Sequence, residues 1–264
     1  MDRKLKAVII VYILVFIIIY GTTLISFSLE YLSLLSHLFI SISIVFSLFL
    51  LIYIISRYFL EVWSPKQVGW TTKNFSKSFL WASAPLLPFT LSLLIASYIF
   101  GTGTVMMWLD IGIEPPYPLW IPLFGIVYWL LGGIIAFSFW QAFSYECLEK
   151  YPKKYVIPVI SVLFILLYNQ PLITGDFNPI DIIWLGIIFL LIYYKFQNSL
   201  SLVVSYVFLF EGPVIWCFGV IFGDLVVLII LYIKTIWCIV AVLILIFQYL
   251  KNAQKVKEVK NSEI

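Results

Sequence analysis

Apolar residues run along the chain in blocks about as long as a bilayer is thick, and charged residues sit between the blocks rather than inside them. A membrane-spanning helix needs about 20 apolar residues. Dividing the chain at its charged and turn-forming positions predicts helices over 6–29, 32–56, 78–100, 117–145, 155–171, 179–196, 199–221 and 225–250. The expected fold class is all-α, a polytopic membrane protein with eight transmembrane helices. An even number of spans puts both termini on one side. Met1 to Lys6 is basic and leads into an uncharged run from Ala7 to Leu29. That run exceeds a signal-peptide core and has no small-x-small cleavage site, so it reads as a retained first span.

The charges test this partition independently, because basic residues are retained in cytoplasmic loops. On one side fall Arg3, Lys4 and Lys6; Arg57, Lys66, Lys73 and Lys77; Lys150, Lys153 and Lys154; Lys195; and Lys251, Lys255, Lys257 and Lys260, which are 15 of the 16 basic residues. The opposite loops carry only the acids Glu30, Asp110, Glu114, Asp176, Asp181 and Asp224. A wrong span count would scramble this sorting, so both termini are expected in the cytoplasm. After Leu250 the tail is polar and lysine-rich, and it reads as a frayed end touching anionic headgroups weakly.

Composition narrows the function classes. Hydrophobic residues make up 63% of the 264 and charged residues 11%, with a mean hydropathy of +1.09. A soluble domain carries about a quarter charged residues. The chain is therefore expected to be an integral, multi-pass protein, placed in the plasma membrane, with the lipid bilayer as its first partner and no nucleic-acid role. Cys147, Cys217 and Cys238 show no CxxC spacing, which supports neither a disulfide framework nor a zinc knuckle. His37 is the only histidine, so a multi-histidine metal site within the chain is excluded by counting.

Two charges remain at membrane depth, where each costs a few kcal/mol or more. Glu211 lies 12 residues before Gly223 and Lys234 lies 10 after Asp224. At 1.5 Å per residue they sit about 18 and about 15 Å in from the outer turn. Consecutive antiparallel helices would bring them level as an intramembrane ion pair. Either they lock two helices together, or, with Gly212-Pro213 breaking the helix beside Glu211, they border a polar cavity near the midplane.

The second half resembles the CPBP family, the CAAX-protease and bacteriocin-processing intramembrane proteins. Ala136-Phe137-Ser138-Phe139-Trp140-Gln141-Ala142 is followed, six residues on, by Leu148-Glu149-Lys150. This is similar to the family's Glu-Glu-x-x-Phe-Arg-Gly running toward Leu-Glu-Lys, with Ala136 and Phe137 on the glutamates and Gln141 on the arginine. A register placing Phe143 on the motif Phe also lacks the acidic pair. Phe164 to Tyr168 resembles Phe-x-x-x-His with tyrosine in place of histidine. The stretch Gly186 to Lys195, then Asn198-Ser199-Leu200, is similar to the approach to the third motif, whose histidine falls on Tyr206 or Val207. In the latter register Glu211 takes the motif Asn. Val68-Gly69-Trp70 is similar to the phrase before the family's third helix.

The resemblance covers about residues 62–216 and implies, in active relatives, a zinc-dependent membrane endopeptidase. It divides the chain into two N-terminal helices in 1–61, a CPBP-like core in 62–223, and a last helix with a polar tail in 224–264. The glutamate pair and the histidines are absent, so no cofactor is expected and the general base and Lewis acid that activate water are both missing. The expectation is a non-catalytic relative that binds a peptide, a lipidated tail such as a prenylated protein, or a partner membrane helix in an intramembrane cavity. Ala136, Phe137, Gln141, Phe164, Tyr168, Tyr206 and Glu211 are the motif-equivalent cavity positions. Three alternatives stay open: a transport or channel component using Glu211 and Lys234, a membrane scaffold, and an active endopeptidase with an atypical site.

Overall fold

A computed structural model describes residues 2–28, 65–102, 130–168, 182–210 and 222–262, with isolated helical positions between 43 and 57 and at 126–127. Among the described residues every regular element is helical. Helix α1 spans Arg3–Ser28, and a 3₁₀ turn over Pro65–Val68 precedes α2, Phe75–Ser83. A second 3₁₀ turn at Ala84–Leu86 joins α2 to α3, Leu87–Phe100. A π-helical stretch, Ile134–Ala142, runs into α4, Phe143–Cys147, and α5 spans Lys153–Tyr168. Another π stretch, Ile182–Ile188, precedes α6, Phe189–Phe196; α7, Ser199–Ser205, continues as π over Tyr206–Phe210. The last helix, α8, is Asp224–Ser262. These labels count helical segments, not membrane crossings.

Among the described residues two helical runs have the length and hydropathy to cross a membrane, Phe75–Phe100 with 26 residues and Asp224–Gln254 with 31. The first is not uniform. Pro85 and Pro88 supply no backbone N–H, so the helix tightens to 3₁₀ between them. The tail expected to fray after Leu250 instead continues α8 to Ser262. Residues 251–262 hold no Gly or Pro and are rich in Lys, with Gln, Ala and Glu, all good helix formers.

Helix α8 packs antiparallel to α2 and α3. Trp237 Nε1 donates to Ser83 Oγ at 3.0 Å near one end, and Leu94 meets Val227 and Leu231 further along. Beyond them the Tyr98 and Tyr232 hydroxyls share a hydrogen bond. Helix α1 lies on α4 and α5, with Ser144 Oγ donating to Tyr12 Oη at 3.2 Å and Tyr20 Oη donating to the Leu166 carbonyl at 2.7 Å. One buried apolar cluster runs from Ala7 of α1 to Cys238 of α8.

Four basic segments meet at one end of this bundle. Asp2 pairs with Lys150 at 2.6 Å, and Lys153 Nζ lies 4.3 Å from the Tyr145 ring centre. Lys195 Nζ lies 3.9 Å over Trp81, and Asn198 Nδ2 donates to the carbonyls of Thr71 and Lys73 at 2.6 and 2.9 Å. The start of α1, the 65–74 loop, the α4–α5 turn and the α6–α7 junction are thus neighbours, as their shared positive charge in the sequence predicts.

Candidate functional site

The structure brings five of the motif-equivalent residues together. Ala136, Phe137, Gln141, Phe164 and Tyr206 are each 2% exposed or less. The Phe137 ring is the hub, with its centre 6.0 Å from Phe164, 5.2 Å from Phe189 and 5.3 Å from Tyr206. Gly133 makes room for this closure: a Cβ there would come within 3.1 Å of Tyr206 Cδ1. A cavity lined by Gln141, Tyr168 and Tyr206 would favour the binding reading; in the structure Tyr206 packs edge-on against Phe137 and the Gln141 side chain is buried. Glu211 and the side chain of Tyr168 lie outside the described residues, as do His37 and Gly212-Pro213.

All three π stretches border this centre. In a π turn each N–H bonds five residues back, which widens the helix and re-aims its carbonyls. Two carbonyls of the 182–188 stretch take side-chain donors: Gln141 Nε2 donates to Leu185 O at 2.5 Å, and Ser161 Oγ to Gly186 O at 2.8 Å. Gln141 Oε1 and Ser205 Oγ are buried with no hydrogen-bond partner among the described residues. A buried acceptor without a partner costs about 1–3 kcal/mol, so Gln141 carries unused binding capacity inside an otherwise apolar core.

Zinc, which the resemblance implies for active relatives, does not fit here. Ala136, Phe137 and Phe164 have no ligating side-chain atoms, which leaves one neutral amide oxygen, Gln141 Oε1, and the Tyr206 phenol among the described motif positions, no set to hold zinc. Among the described residues no group of three or more His, Cys, Asp or Glu could hold a metal ion. Cys147, near this end of the bundle, is no nucleophile either, because burial pushes its thiol up to about 12.

The polar chemistry concentrates instead at the basic end. The Ser199 hydroxyl has one proton, which it gives to the Val68 carbonyl. Ser138 Oγ, 3.0 Å away, must therefore donate to Ser199 Oγ, and Trp70 Nε1 donates to Ser138 Oγ at 2.7 Å. This directed chain begins at Trp70 and ends at Val68, so it staples the 65–74 loop to the 134–142 stretch through α7. Gly69 completes the staple. Its φ of +81° suits glycine, and a Cβ there would lie 2.6 Å from Ser199 N. Asn198 caps α7, accepting from Ser201 N at 2.8 Å, while its Nδ2 holds the loop carbonyls described above.

Glu146 is a second feature the sequence reading passed over. Tyr193 Oη donates to Glu146 Oε1 at 2.9 Å, joining α4 to α6. Burial raises the Glu146 carboxyl above its ordinary value, against the Tyr193 hydrogen bond and the charges of Lys153 and Lys4, which lower it; Glu149 raises it further. The available signal was a carboxylate at the end of an apolar run, two residues before the Leu148-Glu149-Lys150 phrase. Lys234, expected inside the membrane, is 4% exposed on α8, and beside it Thr235 Oγ1 is buried with no hydrogen-bond partner among the described residues.

No family model, no curated protein and no solved structure matches the chain.

Proposed function

We propose that the chain is a multi-pass membrane protein crossing the bilayer eight times with both termini in the cytoplasm, and that its CPBP-like core holds a peptide, a lipidated tail or a partner helix without cutting it. Two long apolar helices and the gathering of the basic segments at one end support the membrane reading. The observation that carries the binding reading is Gln141. Its amide is fully buried with Oε1 unsatisfied among the described residues, and it lies in one π stretch and bonds to another, a form frequent at functional sites. A ligand N–H that displaces the Phe137 ring would bond to Oε1, which the empty state leaves unused. Among the described motif positions, hydrolysis has neither a carboxylate or imidazole base nor a set of metal ligands.

Binding of a fluorescent farnesylated peptide to the purified protein tests this reading. Wild type binds, and Gln141→Leu binds about tenfold more weakly, the scale of one hydrogen bond. Equal binding by both removes Gln141 from the site, and no binding by either favours the scaffold. Reporter fusions after Lys77, Lys154 and Lys195 on one side, and after Asp110 and Asp176 on the other, test the topology independently.

A second reading rests on the burial of Lys234 beside Thr235. In it these residues, with Glu211, border a polar path near the midplane, and Lys234→Met abolishes ion or solute flux in reconstituted vesicles. Unchanged flux in the variant, or none in wild type, eliminates it.

A further inference from the structure

Helix α5 and the 182–196 run are antiparallel and meet where Ser161 Oγ bonds to Gly186 O and Ile165 packs on Gly186. In antiparallel right-handed helices the residue following each contact position turns to the same side of the pair. Val162 and Ile187 therefore flank one groove. Both are exposed, as are Tyr155 and Val159 on the α5 wall and Leu191 and Tyr194 on the other. The groove is apolar along its length and aromatic at one end.

That end is also basic. Lys153 and Lys154 open α5. Lys153 Nζ donates to the Glu149 carbonyl at 3.0 Å and lies over the Tyr145 ring and 6.0 Å from the centre of Tyr194, and Lys154 Nζ lies 4.9 Å over Tyr155. Lys195, at the end of α6, turns to Trp81 of α2 instead. Nearby acids are occupied: Asp2 pairs with Lys150, and Glu146 accepts from Tyr193. Glu149 is the remaining exposed acid there, against Lys153 and Lys154.

The dimensions match one molecule. From Tyr194 back to Ile183, also exposed, is 11 residues, about 16 Å of helix. One leaflet's hydrocarbon is about 15 Å thick, half of a typical core. We infer that the α5–α6 groove is a binding site for an anionic glycerophospholipid, its phosphate held by Lys153 and Lys154 and its acyl chains lying along Val159, Val162, Ile187 and Leu191. The inference rests on the membrane reading above. It adds a specific lipid, chosen by the charge complementarity of the groove's head, to what would otherwise be general contact with the bilayer.

Native mass spectrometry of the detergent-purified protein, titrated with phosphatidylglycerol or phosphatidylcholine, tests it. Wild type retains phosphatidylglycerol preferentially. The double variant Lys153→Gln, Lys154→Gln loses that preference by about tenfold or more, since each lysine near an anionic headgroup contributes about fivefold. The control Lys251→Gln, Lys255→Gln on the α8 tail keeps it. Equal retention of the two lipids by wild type, or undiminished selectivity in the Lys153/Lys154 double variant, overturns the site. An alkaline carbonate wash of the same membranes separates this from the underlying reading. Protein that stays in the pellet but shows no selectivity contradicts only the lipid site, whereas protein that washes off contradicts the membrane reading as well.

Discussion

The aromatic centre around Phe137 and the stapled end around Asn198 are stabilised by opposite means. The centre has three rings within about 6 Å of the Phe137 ring and a single engaged amide, so its order comes from packing. The end is built from hydroxyls, an asparagine, an indole N–H and a glycine at positive φ, so its order comes from directed hydrogen bonds. Chain turns explain the division. Loop carbonyls at Val68, Thr71 and Lys73 need donors, and α7 supplies them; the centre is helix against helix, with backbone groups already paired. Five of the motif-equivalent positions fall in the apolar centre, whereas the directed hydrogen bonds of the staple gather at the basic end.

Breaking the centre should cost most. Phe137→Ala removes the ring that contacts Phe164, Phe189 and Tyr206, and should destabilise the detergent-solubilised protein by about 3–5 kcal/mol in chemical unfolding. Loss of less than about 1 kcal/mol would mean that the centre is loosely filled. Asn198→Ala removes the α7 cap and both loop donors and should cost about 2 kcal/mol. Asn198→Asp keeps the cap acceptor and loses the donors, so it should fall between wild type and alanine. If Asp and Ala are equal, the cap contributes nothing. Trp70→Phe takes away only the first donor of the staple and should cost about 1 kcal/mol.

The smallest expected effect concerns pH. The carboxyl of Glu146 is raised in the folded protein, so the stability tied to its neutral form is fully present below its unfolded value of about 4.3 and is lost as pH rises through the folded value. The Tm of wild type should therefore carry a falling contribution from about pH 4 toward neutrality. Glu146→Gln cannot ionise and still accepts from Tyr193, so its Tm profile should be flatter over that range. Identical profiles would show that Glu146 is not buried in solution.

The sequence carried the helical class and the gathering of basic segments because both depend on chain-long patterns. Helix starts were close where the residues before them are described: 3, 75, 153, 199 and 224 in the structure, against 6, 78, 155, 199 and 225 expected. The π stretches were not legible, since Ile134–Ala142 and Ile182–Ile188 have the same apolar composition as α-helix. Nor was the staple, because its partners lie 61 to 131 residues apart and serines carry no long-range signal. Val68-Gly69-Trp70 drew notice only as part of a resemblance, and its physical reason, the approach of Ser199 to Gly69, needed the fold. The motif-equivalent residues were picked by spacing, and five of them do meet, but spacing could not show that Phe137 would fill the space between them.

The most direct test of a binding core without hydrolytic chemistry is the mass of a farnesylated peptide after prolonged incubation with the purified wild-type protein. The account predicts that the peptide is recovered from the complex intact. A product shortened at a single bond, formed by wild type and not by Phe137→Ala or a heat-denatured sample, would contradict it.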